Sequence, residues 1–322
     1  MRKRLFNILR IVISLSLLAF LIFRNRNNFN DILDALREIN IYYLAAALAA
    51  YFIAISLIVF RWGFLLRAHD HIISHRFLWQ STLIGFFYNN LLPTSVGGDF
   101  YRVYDIKQNK DIPVNAGIAS VVMERIIGSV SSFTLLVISY FLGLFDYLER
   151  SAALGLLISI VVIIIFFVIL FFPGLFGLDR LIRKFRIFAK IRPRLKEFHE
   201  ILIGFRHKKK HVFISYIFAM TIQGFFLLSY YLISVSLNMK IAFYIFIFII
   251  PFVSIVSSIP ISIGGIGIRE NALVFVLAVF GAVQSGAMLF SLILLAIILI
   301  IGFTGGIVYL VKNLTGRSKG FI

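Results

Sequence analysis

Cysteine is absent from the 322 residues of this chain, which excludes disulfides, thiolate metal sites and cysteine nucleophiles. Acid is scarce as well: Asp and Glu number 14 against 32 Lys and Arg, and no D-x-D metal pair adjoins Asp99. The histidines His69, His71, His75, His199, His207 and His211 all fall in or beside basic segments and form no H-E-x-x-H or comparable spacing. A G-x-S-x-G elbow and a Walker loop are also missing. The expectation is a protein with no catalytic residue, no metal and no cofactor.

What remains is apolar. Hydrophobic residues make up 61% of the chain and charged ones 14%, with a mean hydropathy of +0.98, a balance that excludes a soluble globular domain. Apolar runs of spanning length fill the sequence, so residues 1–322 read as one integral membrane domain, an all-α bundle of about 6 to 8 spans. A net charge of +18 would suggest nucleic acid in a soluble protein. Here the basic residues flank apolar runs, which favours topology signals and anionic lipid, with no nucleic acid as partner.

The spans can be ordered by the positive-inside rule. Arg2, Lys3 and Arg4 precede the run 5–23, which reads as a retained anchor with a cytoplasmic N-terminus, since Arg24 and Arg26 follow it where a cleavage site would need small residues. Residues 30–39 carry Ile32, Leu33, Leu36 and Ile39 on one face and predict a short amphipathic helix on the outer surface. The run 41–60 returns inward to Arg61 and Arg67. Residues 179–211, with Pro193 between two basic amphipathic stretches, are placed in the cytoplasm, lying on an anionic leaflet or only anchoring topology. Runs at 114–145, 152–172, 212–235 and 286–311 complete the long segments, and Lys312, Arg317 and Lys319 hold the C-terminus in the cytoplasm of a multi-pass cell-membrane protein. Gly305 and Gly306, in the last run, read as a packing surface or kink.

Two stretches break this pattern. Pro93 to Arg102 reads PTSVGGDFYR and Pro260 to Arg269 reads PISIGGIGIR, both P-x-S-x-G-G-x-x-x-R. Prolines stop a helix and paired glycines permit turns closed to other residues. Parity puts both ends of the segment 77–110 on the cytoplasmic side, so it enters the bilayer and turns back. The segment 241–280 is read as a second hairpin entering from the opposite face, the alternative being two ordinary spans. The motifs, 89–102 and 256–270, would then be halves of an internal, inverted repeat with two re-entrant tips at the midplane.

Broken backbone in a membrane is tolerated where it is buried in protein or lines a wet cavity. Amide N–H groups at such a break, opening a half-helix, suit an anion. An arginine at bilayer depth costs roughly 3 kcal/mol on insertion scales and is usually kept for a partner. The guanidinium fork matches phosphate. Ser95, Gly97, Gly98, Arg102, Ser262, Gly264, Gly265 and Arg269 are therefore the candidate headgroup-binding residues. The alternative is internal pairing of the arginines with Asp99, Glu124 or Glu270. Glu124 adjoins Arg125 and Glu270 adjoins Arg269, and since helical neighbours point about 100° apart, each acid is free to pair with something other than its adjacent arginine.

NNLLPTSVGGDFYR at 89–102, VVMERIIG at 121–128 and PISIGGIGIRE at 260–270 resemble the lysylphosphatidylglycerol synthase transmembrane-region family, also called flippase-like integral membrane proteins. The resemblance covers nearly the whole chain. It implies a helical membrane domain that moves, or helps move, a charged-headgroup lipid between leaflets, so the expected function is flipping or scrambling of an anionic or phosphate-headgroup lipid. The soluble aminoacyl-transfer domain of the best-known members has no counterpart before Ile322, which leaves lipid synthesis to a separate enzyme as an expected partner. Names of some relatives keep a polyprenyl-phosphate glycosyltransferase open, with Asp99 or Glu124 as base, and a small-anion transporter would use the same half-helix geometry.

Overall fold

The computed structural model describes residues 12–17, 19–21, 23, 29–92, 97–110, 112–147, 161, 204–205, 208–258 and 262–315. Arg2 to Arg4, the run 152–172 apart from residue 161, most of the basic segment 179–211, Pro93 to Val96, Pro260, Arg317 and Lys319 lie outside them.

The described residues form no strand. Their helices are α1 (Phe29–Arg37), α2 (Ile41–Arg67), α3 (His75–Leu91), α4 (Gly97–Lys110), α5 (Val114–Phe141), α6 (Lys209–Ser236), α7 (Phe246–Ser258), α8 (Ile268–Val279) and α9 (Gln284–Leu314). Four of these, α2, α5, α6 and α9, are long and apolar enough to cross a membrane. At 27 to 31 residues each measures about 40–46 Å. Helix α2 starts where Asn40 accepts hydrogen bonds from the Tyr42 and Tyr43 amides, and the Asn40 amide bonds the Ser236 carbonyl, fixing α2 antiparallel to α6. The expected amphipathic helix is present as α1, with Ile32 buried.

Helices α3 and α4, of 17 and 14 residues, are too short to span, at about 25 and 21 Å. They fold back on each other: Lys110 sits over the Phe77 ring, Tyr88 stacks on Tyr101, and the Gly98 amide donates to the Asn89 side chain at 2.8 Å. Helices α7 and α8 make a second hairpin, with Phe248 against Phe280 at its base and Gly265 against Ser257 near its tip.

Helix α9 is the ruler for both. Its Lys312 meets Phe77 and Asp105 at the base of the first hairpin, while Ile298 and Gly302 meet Asn90 near its tip. Phe290, close to the start of α9, stacks on Phe246 at the base of the second. The hairpins thus approach from opposite ends of α9, and their tips touch where Gly264 lies against the Asn89 carbonyl and Asn90.

Charge divides along the same axis. Arg67, Arg76, Lys107, Lys110, Lys208 to Lys210 and Lys312 gather with His69, His75 and His211 at the base of the first hairpin, held by contacts such as Phe60 with His75 and Phe64 with His211. The opposite end carries Asp31, Asp34, Glu38 and Asp146 with Arg37 and Lys240.

The glycines expected to turn the chain do so in one motif only. Gly264 and Gly265 have φ of 56° and 78°, the left-handed region. Gly97 and Gly98 instead open α4, and what they supply is closeness, since a Cβ on Gly98 would lie 2.1 Å from the Gly85 carbonyl oxygen. Gly305 and Gly306 are a packing surface, as read. A Cβ at Gly305 would lie 1.9 Å from the Leu83 carbonyl oxygen, a backbone-to-backbone approach of the kind small residues allow between membrane helices. Gly305→Ala is expected to destabilise the detergent-solubilised protein by about 1–3 kcal/mol. Gly224→Ala, with nothing within 4 Å of its added Cβ, is expected to be neutral or to stabilise by about 0.5–1 kcal/mol. Thermal unfolding of the pair checks this contrast.

Candidate functional site

Four helices bring a charged group together beside the hairpin tips. The near-apolar course of α2 places Arg61 and Trp62 two turns before its end, and both are buried. Helix α4 presents Asp99 and Arg102 one turn apart on one face. Helix α5 contributes Glu124 and Arg125 from its middle. Helix α3 supplies Gly85, whose missing side chain lets Arg102 pass: a Cβ there would lie 3.4 Å from the Arg102 stem.

The pairing is reciprocal. Glu124 Oε1 accepts from Arg61 at 3.2 Å and Oε2 from Arg102 at 2.7 Å. Asp99 Oδ1 lies 3.5 Å from Arg102, and Oδ2 accepts from Arg125 Nε. The Arg102 guanidinium stands over the Trp62 ring at 4.0 Å, and Trp62 is fixed by donating its indole N–H to Ser120 Oγ. Arg61, Arg102 and Glu124 are 5–7% exposed, whereas the Arg125 side chain is 48% exposed. Among the described residues three guanidiniums thus meet two carboxylates here.

These groups border a cavity of about 770 Å³ between α2, α3, α4, α5, α6 and α7. Its remaining lining is polar but neutral at Thr82, Asn89, Ser129, Ser131, Ser132, Gln223, Ser254 and Ser258, with Phe86, Phe133 and Phe226 among the apolar walls. The volume lies within the range of small-molecule sites, about 300–1,000 Å³.

Of the residues proposed from sequence, Gly98, Asp99, Arg102, Glu124 and Arg125 line this cavity. Gly97 packs on Leu92, and Ser95 lies outside the described residues. The second motif does not contribute as expected. Gly264, Gly265 and Arg269 are not among the lining residues, and hairpin two enters through Ser254, Ile255 and Ser258 of α7. Ser262 is buried with no partner for its hydroxyl.

Glu124 pairs away from the adjacent Arg125, with Arg61 and Arg102. Glu270 pairs internally with its neighbour, its Oε1 accepting two hydrogen bonds from Arg269, at 2.9 and 2.7 Å. The reason is local. Glu270 Oε2 caps α8 by accepting the Gly267 amide at 2.5 Å, which pins the carboxylate at the helix start, and the long arginine stem then reaches around to it. Of the glycine amides expected to await an anion, the Gly98 N–H is occupied by Asn89, and the Gly267 N–H at the start of α8 is occupied by Glu270.

Arg61 lies inside α2, which does not end at residue 60 but runs on to Arg67. The visible signal was the apolar continuation from Trp62 to Leu66, which keeps Arg61 inside the helix. A further buried pair, Lys312 with Asp105 at 2.5 Å, ties α9 to α4 near the basic end.

The family described as lysylphosphatidylglycerol synthase TM region matches residues 7–306. A UPF0104 membrane protein of Methanocaldococcus jannaschii is 28% identical over 206 residues, 62% of this chain and 83% of the relative. A UPF0104 membrane protein of Methanothermobacter thermautotrophicus is 24% identical over 265 residues, 76% of this chain and 77% of that one. No solved structure matches the chain.

Proposed function

We propose that this chain, which belongs to the lysylphosphatidylglycerol synthase TM region family, translocates a lipid with an anionic or phosphate headgroup across the cell membrane. The headgroup occupies the cavity at Arg61, Arg102 and Arg125 while the tails stay in lipid. The observation that carries this reading is that three arginines, Arg61, Arg102 and Arg125, line one cavity large enough for a headgroup, beside the meeting point of two short hairpins. Buried arginine is expensive at bilayer depth, and phosphate is the ligand its fork fits.

In this reading α3–α4 and α7–α8 are re-entrant hairpins of an inverted repeat. The basic end faces the cytoplasm by the positive-inside rule, which places both termini there, and rocking of one hairpin against the other alternates access. The family name speaks of synthesis, but both oxygens of Asp99 and of Glu124 are engaged by arginine, which supports transport over a glycosyltransferase needing one of them as base.

Translocation in proteoliposomes tests it. The Arg102→Gln variant leaves Glu124 its pair with Arg61 and Asp99 its pair with Arg125. It is expected to incorporate normally and to move a headgroup-labelled phosphatidylglycerol no faster than empty vesicles. Wild-type translocation by this variant would remove Arg102 from the site.

A further inference from the structure

We propose a second lipid site, separate from the cavity at the hairpin tips: a groove at the basic end of the bundle that holds the phosphate of an anionic phospholipid, with one tail lying along α9. The groove, of about 580 Å³, opens between the start of α3, the end of α4 and the end of α9, and its polar lining is Arg76, Gln80, Asn109, Lys110, Lys312 and Thr315. It shares no lining residue with the first cavity. Gly85, which borders that cavity, is nine residues on from Arg76, about 14 Å along α3.

The cations converge on one point. Lys110 closes α4 and Lys312 stands in the last turn of α9, and both ammonium groups sit over the Phe77 ring, at 5.1 and 4.7 Å. Lys312 is paired with Asp105. Among the described residues no carboxylate pairs with Lys110 or Arg76, and none lines the groove. Arg76 stands in the first turn of α3, where the helix dipole disfavours a cation and Ser74 gives no side-chain cap. An anion seated there offsets the repulsion among the three cations and meets the open helix end at once. Gln80, one turn beyond Arg76 on the same face, supplies a neutral donor.

The apolar wall makes the anion a lipid. Ile307 and Val311 line the groove and are exposed, and so are Ile300 and Phe303. These four positions share one face of α9, so an apolar strip leads from the cations toward the bilayer centre. A soluble phosphate leaves that strip uncovered, whereas a phospholipid covers it with a tail while its phosphate meets Arg76 and Lys110. Basic pockets between spanning helices near the membrane surface hold anionic headgroups in this way.

Thr315 reports on the groove, since it lines it, is exposed, and Thr315→Cys supplies the sole thiol of a chain without cysteine. The full chain labelled there with bimane is placed in phosphatidylcholine nanodiscs doped with phosphatidylglycerol spin-labelled high on one tail, or in parallel with phosphatidylcholine labelled in the same way. Half-maximal quenching is expected at a mole fraction of phosphatidylglycerol about fivefold or more below that of phosphatidylcholine, on the order of one cationic contact at the membrane surface. Arg76→Gln with Lys110→Gln, two exposed positions, is expected to bring the two lipids level, and Arg102→Gln to leave the preference unchanged. Equal quenching by both lipids before any of these substitutions would overturn the site. A preference that survives the Arg76, Lys110 pair would overturn its assignment to these residues, and one lost in Arg102→Gln would overturn its separateness from the first cavity. A preference abolished by inorganic phosphate at matched ionic strength would show a soluble-anion site and overturn the lipid.

Discussion

Glu124→Gln is expected to be the most damaging single substitution in the chain, lowering unfolding stability by about 3–5 kcal/mol. Glu124 is 5% exposed and is the bridge between two buried guanidiniums. Removing its charge strands Arg61, whose Nε already lacks a partner and which, among the described residues, pairs with Glu124. Arg102 keeps Asp99, but at 3.5 Å. The cost of breaking a buried pair is mainly the uncompensated charge left behind, and here two are left. The cavity beside them can admit water, which sets the loss toward the lower end of the range.

The accompanying substitutions separate charge from packing. Adding Arg61→Gln to Glu124→Gln removes one stranded cation and is expected to return part of the stability, with a coupling energy of about 0.5–3 kcal/mol between the two sites. Unfolding of the solubilised protein, followed by Trp62 fluorescence, measures each corner of the cycle. A Glu124→Gln loss below about 1 kcal/mol would mean that Arg61 and Arg102 are hydrated, and that the network holds a surface-like pair.

Arg61 shows why this network was only half legible beforehand. In an apolar chain the first arginine after twenty apolar residues reads as the edge of the bilayer. Its partner Glu124 is 63 positions away, and no local pattern joins them. Arg102 and Glu124, by contrast, stood out because each interrupts an apolar or Pro/Gly-marked stretch where charge is expensive. The serine wall was invisible for another reason: Ser131 and Ser258 bond carbonyls of their own helices, as serines do throughout membrane helices, so residue type alone does not separate those that face a cavity.

The two motifs carry a further lesson about what a shared pattern fixes. Pro, Ser, Gly, Gly and Arg recur in register at 93–102 and 260–269, yet the glycine pairs do different work. Gly97 and Gly98 are helical and serve close packing on Leu92 and α3, whereas Gly264 and Gly265 are left-handed and serve the turn. The arginines follow suit, Arg102 reaching across to α5 and Arg269 closing on its own neighbour. What the pattern did announce is the architecture, a helix, a break and a helix at each place. That much follows from proline and paired glycine alone.

Locking the two tips together is expected to stop translocation entirely. A chain without cysteine accepts the pair Asn90→Cys, Gly264→Cys as its only thiols. A Cβ at position 264 would stand 3.6 Å from the Asn90 Cα, which puts the two Cα atoms within about 5 Å, inside the range a disulfide spans. The left-handed φ at Gly264 makes the cysteine there cost about 1–2 kcal/mol, less than a typical disulfide contributes. Oxidation should therefore protect both thiols from alkylation in the double variant and neither in the single ones. Alternating access by one hairpin rocking against the other requires this contact to break or slide, so the oxidised protein should translocate at the rate of empty vesicles and recover on reduction. A cross-linked protein that translocates as fast as its reduced form would show that the tips stay joined through the cycle, and that the headgroup passes by movement of α5 and α6 around a fixed pair of hairpins.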